Sequence, residues 1–278
     1  MVGLFFFLVV GFVLATGLFM FIPIGGVSPA AVRTELLTQG CSQLLMFLLP
    51  ALAFAWFYKG NAATFHCLDF GGRKWFLAFV AVVIFVLMMP FNDWLTWWND
   101  HWDLGAREVP FRRVSDESKA SVERMLSLSG IGDLVLQLIV VALIPAVCEE
   151  FFFRGALQQI LRDWFGNKHV AVIVTAVVFT LAHGDLYGCM PRLVLGLLLG
   201  YLFFLSGSML VNVCAHFFNN AAFVIIYYLY HRGILLTGPT SPMLMPWPVV
   251  ISCGIGAALL IGVYFAKKSV KNETKSNV

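Results

Sequence analysis

Three short constellations in this sequence carry residue types that do chemistry. Glu149, Glu150 and Arg154 close an apolar run, His183 follows four residues after Phe179, and His216 precedes Asn220 by the same spacing. Glu150 and Arg154, at i and i+4, share a helix face and can pair. Glu149 lies about 100° round from Glu150 and has no local cation. A carboxylate so placed in apolar surroundings suits a general base, whereas Glu150 with Arg154 also reads as a structural bridge at a helix end. His216 and Asn220 offer an imidazole and an amide on one face, able to bind an oxyanion, ligate a metal or bond a neighbouring helix. His183 alone would be an ordinary core histidine.

The elements that must position these groups are membrane helices. Of 278 residues, 60% are hydrophobic, 15% aromatic and only 12% Asp, Glu, Lys or Arg, with a mean hydropathy of +0.86. Soluble domains carry about 25% charge. The composition excludes a soluble enzyme, a disordered chain and a nucleic-acid-binding module, and a net charge of +3 without a like-charge block implies no polyanion partner. Apolar runs predict spans at 4–24, 41–58, 75–91, 133–153, 170–187, 191–206, 208–229 and 247–266. The fold class expected is all-α, a polytopic membrane protein of about eight transmembrane helices.

One structural domain would comprise N-terminal helices and a polar loop over 1–132, a core over 133–229 holding the three constellations, and a last span with a basic tail over 230–278. Lys59, Arg73, Lys74, Arg154, Arg162, Lys168 and the tail lysines fall on one side, which places both termini in the cytoplasm of a multi-pass protein. The first apolar run has no basic residue before it and reads as a retained span. The six cysteines show no CxxC spacing; Cys41, Cys148, Cys214 and Cys253 lie in apolar runs as small hydrophobes.

Loop 92–132 is the one large polar segment. Trp94, Trp97, Trp98 and Trp102, interleaved with Asp93, Asn99 and Asp100, resemble an interfacial aromatic belt. Residues 116–129 read as a short amphipathic helix with Val122, Met125 and Leu126 on one side, either resting on the membrane surface or acting as a lid.

Helical rise links the constellations. Residue 166 is the midpoint of 149 and 183, and Gly166–Asn167 is the expected turn. An antiparallel hairpin there sets Glu149 and His183 level, each roughly 25 Å from the turn. His216 stands nine residues from Gly207 and joins that level if the hairpin projects by roughly 10 Å.

Taken in order, Glu149–Glu150–x–x–x–Arg154, Phe179–x–x–x–His183 and His216–x–x–x–Asn220 resemble the three motifs of the CPBP family of intramembrane proteases, which includes the CAAX prenyl endopeptidases of the Rce1 type and the bacterial Abi proteins. The resemblance covers residues 133 to 229 well and implies an enzyme hydrolysing a peptide or membrane-protein substrate. It implies that Glu149 and His183 activate a water, that His216 and Asn220 stabilise the oxyanion, and that Glu150 with Arg154 hold the site in shape. No cofactor is required by this reading; a divalent ion such as zinc would fall to Glu149, His183 and His216, although Glu149 would then not be free as a base. The compact chain reads as that of a bacterial cell membrane.

Other readings start from the same residues. HExxH and GxSG are absent from the sequence, and Gly130–Ile131–Gly132–Asp133 matches GxGD without a YD partner. Asp133 also suits the start of a helix. A non-catalytic membrane protein on the same scaffold (a bacteriocin self-immunity or protein-maturation partner) and a transporter using Glu and His as a proton relay are the alternatives.

Overall fold

A computed structural model describes residues 2–20, 26–59, 72–236 and positions 251 and 256. Among these residues the chain is α-helical, without strands. Helix α1 is Val2–Met20. Helix α2 comprises Pro29–Gln43, a π turn Leu44–Leu48 and Leu49–Lys59 in one rod. Helices α3 and α4 are Gly72–Asp100 and Glu108–Leu126. The rod Ile131–Phe165 is α5, followed by α6 (Lys168–Leu181), α7 (Cys189–Ser206) and α8 (Met209–His231). Helices α2, α3, α5, α7 and α8 are long and apolar enough to cross a membrane, and α1 and α6 are shorter apolar helices. The all-α polytopic architecture is therefore as expected, while the span at 247–266 lies outside the described residues except for two positions.

Turn chemistry places the breaks. Gly166 ends α5 in the left-handed region at φ 61°, and the Asn167 side chain accepts from the His169 and Val170 N–H groups to open α6. Gly207 closes α7 in the same conformation, at φ 60°. Ser28 caps α2, with Pro29 at its first position.

Boundaries differ from the sequence reading in several places, among them the end of α6, which stops at Leu181 instead of 187 and leaves His183 beyond the helix. Helix α2 begins at Pro29 instead of 41, because Thr34, Glu35, Thr38 and Gln39 depress the local hydropathy although Glu35 and Thr38 are buried within the bundle. Helix α3 continues through Pro90 to Asp100, so Trp94, Trp97 and Trp98 stand on a helix and not in a loop. The amphipathic helix spans Glu108–Leu126 rather than 116–129. Its apolar side is the expected one: Val122, Met125 and Leu126 pack on Val32, Leu36, Val140, Val224 and Tyr227. Helix α4 is also tied by charge, since Arg124 and Ser121 reach Glu35 at 3.2 and 2.9 Å, and Arg112 reaches Asp100 at 2.9 Å.

Three π turns interrupt the rods. Leu44–Leu48 and Leu138–Leu143 run directly into Pro50 and Pro145. Proline lacks an N–H and clashes with the carbonyl four residues earlier, so a widened turn relieves both problems. The third, Glu150–Leu157, contains no proline and starts at the charge cluster. Single π turns recur at functional sites.

Asp133 has a structural partner. Arg33 Nε and Nη2 donate to its two carboxylate oxygens at 2.7 and 3.2 Å at the start of α5. Asp133→Asn is accordingly expected to act on this exposed helix start alone and to lower the thermal midpoint of the purified variant only slightly.

Candidate active site

The first and third constellations meet in the bundle. Glu150, in the π turn of α5, is fully buried, and both its oxygens are engaged. Oε1 accepts from Arg154 at 2.8 Å and from His216 Nδ1 at 2.9 Å, while Oε2 accepts from Asn212 Nδ2 at 3.0 Å. A buried carboxylate is tolerable only when paired and hydrogen-bonded in this way. Arg154, equally buried, also donates to the Gly196 carbonyl at 3.1 Å and lies over the Phe179 ring at 4.9 Å.

Glu149 differs from its neighbour although the two are adjacent. It is buried too, yet among the described residues its carboxylate receives no direct hydrogen bond. Its near neighbour is His216, whose Nε2 stands 3.8 Å from Oε2, beyond hydrogen-bonding range and a spacing that one water can bridge. Because Nδ1–H of His216 donates to Glu150, the ring is aimed with Nε2 toward Glu149.

His183 lies just past the end of α6, two residues beyond Leu181. Its Nδ1–H donates to the Phe179 carbonyl at 2.8 Å, which leaves Nε2 free, and Glu149 and Arg192 are the charged groups whose fields reach it. Phe179 contacts both imidazoles, with ring centroids 4.8 Å from His183 and 6.3 Å from His216. His183 is exposed while His216 is buried, so the cluster opens to the surroundings at His183. The foot of the hairpin sits beside the last turns of α7, with Lys168 over Phe204 and His169 against Tyr201. His216 therefore reaches both glutamates without the projection of roughly 10 Å that straight parallel helices would need.

Asn220 is half-buried one turn beyond His216. Its Oδ1 accepts from Asn219 at 3.3 Å, and no described contact joins it to the glutamates. Among the described residues no three His, Cys, Asp or Glu side chains converge as a metal-ligand set. Glu149, His183 and His216 are not drawn together as such a set, although the bonds from the two Nδ1 atoms to Phe179 and Glu150 leave both Nε2 atoms available.

Sequence reasoning missed the groups that hold the cluster. Asn212 precedes His216 by four residues, the mirror of the His216–Asn220 spacing, and donates to Glu150 and to the Leu199 carbonyl. Gly196–x–x–x–Gly200 on α7 brings that helix against α6 and bares two carbonyls, one for Arg154 and one for Gln158 at 3.1 Å. A Cβ at Gly196 would stand 3.2 Å from the Ala176 backbone. Gly196→Val is expected to cost about 1–3 kcal/mol through overpacking, read as a lowered thermal midpoint.

Fold and site together define a polytopic α-helical membrane protein with a buried carboxylate–imidazole cluster shared by α5 and α8. Residues 131–222 match the model of the Rce1-like family, described as type II CAAX prenyl endopeptidase Rce1-like, and this match supports the CPBP/Rce1-type family. It covers about a third of the chain and all three constellations. No curated protein and no solved structure matches the chain.

Proposed function

We propose that the protein is an intramembrane endopeptidase in which Glu149 and His183 activate the attacking water. The observation that carries this reading is the division of labour between adjacent carboxylates. Glu150 is saturated by Arg154, His216 and Asn212, whereas Glu149 receives no direct hydrogen bond among the described residues and has the His216 imidazole 3.8 Å away. Environments that differ this much commonly separate a structural acid from a chemical one.

In the reaction, Glu149 takes a proton from water as the oxygen adds to the scissile carbonyl carbon. His183 Nε2 orients that water, being left free by the Phe179 bond. In its imidazolium form His216, held by Glu150 through Nδ1–H, donates through Nε2–H to the oxyanion of the tetrahedral intermediate, together with the Asn220 amide. Collapse breaks the C–N bond, Glu149 returns its proton to the leaving nitrogen, and a free carboxylate and amine result. Arg154 and Asn212 hold Glu150 and therefore the orientation of His216.

The family description supports a peptide with a prenylated cysteine near its C-terminus as the first substrate to try, and the exposed position of His183 suits entry from the bilayer. The basic residues flanking the spans support cytoplasmic termini in a bacterial-type membrane. Purified protein in liposomes, given a quenched farnesylated peptide and an unprenylated transmembrane peptide, tests the reading in the presence and absence of a chelator. Cleavage of either peptide that survives chelation supports it; cleavage abolished by chelation would replace the direct water activation with a metal-bound one. If neither is cleaved and Glu149→Ala retains the cellular activity of the protein, the non-catalytic reading takes its place.

A further inference from the structure

Helix α7 begins at a buried end that its own sequence does not cap. The residue before it is Gly188, which has no side chain to offer the free N–H groups of the first turn. Asn99, on the last turn of α3, supplies the missing partner from 91 residues away: its Oδ1 accepts from the Met190 N–H at 2.8 Å. Its Nδ2 donates to the Leu186 carbonyl at 3.2 Å, and the side chain is fully buried. Both ends of one amide are thus spent on the main chain of a single loop.

That loop carries His183. Gly184 follows it in the left-handed region at φ 66°, and the next residue, Asp185, accepts from the Tyr187 N–H at 3.1 Å and from Arg192 at 2.9 Å. Arg112 of α4 covers the Tyr187 ring at 3.5 Å. His183 lies beyond the regular turns of α6, held on that side by its N–H to the Thr180 carbonyl at 3.2 Å and its ring to the Phe179 carbonyl, and on the other side by the anchoring of the loop. Only Gly184 and Asp185 separate it from the residue that Asn99 holds.

We propose that Asn99 is a positioning residue for the reaction, fixing the loop so that the His183 ring stays opposite Glu149. The proposal rests on the reading of Glu149 and His183 as the water-activating pair. It assigns a task to the far end of α3, which otherwise supplies no group to the cluster.

The test compares Asn99→Leu, which keeps the volume and removes both hydrogen bonds, with Asn99→Asp, which keeps the acceptor for the Met190 N–H. Two readouts are used on full-length protein in liposomes: kinetics on the quenched farnesylated peptide, and the rate at which diethylpyrocarbonate modifies His183, followed by mass spectrometry. Displacing a reacting group by about 1 Å can cost about 100-fold in rate. Asn99→Leu is expected to lower kcat by about 10- to 100-fold with KM little changed, and to alter the modification rate of His183. Asn99→Asp should recover part of kcat.

Wild-type kcat with unaltered His183 reactivity in Asn99→Leu would overturn the proposal. So would a loss of activity with His183 reactivity unaltered, which would mark Asn99 as a merely structural cap. If Asn99→Leu does not fold, Asn99→Asp must still show altered His183 reactivity, and wild-type behaviour of that variant sinks the idea. An active Glu149→Gln control would instead overturn the site reading, and the modification rate would still decide whether Asn99 holds the loop.

Discussion

Glu149→Gln is expected to abolish peptide hydrolysis in a protein that folds as the wild type does. The change is isosteric and removes the base while keeping the volume of the side chain. Losing a positioned general base costs about 10²- to 10⁴-fold in rate. Folding should be spared because Glu149 receives no direct hydrogen bond among the described residues, and its partner His216 is held by Glu150 independently. The pairing of a lost turnover number with an unchanged thermal midpoint is the signature to look for. A variant that hydrolyses the peptide at the wild-type rate would remove Glu149 from the chemistry.

One residue further along, the expectation reverses. Glu150→Leu leaves Arg154 fully buried beside a single carbonyl acceptor and frees both His216 and Asn212 from their common anchor. Breaking a buried pair by deleting one partner costs about 3–5 kcal/mol, because the remaining charge stays desolvated. A sharp loss of thermal stability or of folded yield is expected, with activity lost as a consequence. The double variant Glu150→Leu with Arg154→Leu should regain much of the stability, since replacing both members of a buried pair is often neutral. It should stay inactive, because His216 is then no longer aimed at Glu149. Equal stability of the single and double variants would refute the account of Glu150 as the anchor.

The contrast between these two glutamates shows how far the sequence could be read. Spacing alone paired Glu150 with Arg154, left Glu149 without a cation and set His183 level with it through a turn at Gly166. Each of those inferences uses local helical geometry, which the sequence states directly. What it concealed depends on long-range contacts. Asn212, Gln158 and Asn99 are uncharged polar residues whose backbone partners lie 13 to 91 residues away in the sequence. The π turn at Glu150 was illegible for a different reason, since no proline announces it as Pro50 and Pro145 announce the other two. Helix ends went astray where burial of polar residues, as on α2, opposed the hydropathy.

The acceptors for Arg154 and Gln158 are main-chain oxygens of α7. No substitution on that helix can delete them, so the wiring of the cluster is insulated from most point mutations there. It is exposed to anything that moves the helix axis, and the two glycines are where an added side chain would do so. An engineer seeking to retune the site would therefore treat the spacing between α6 and α7 as fixed.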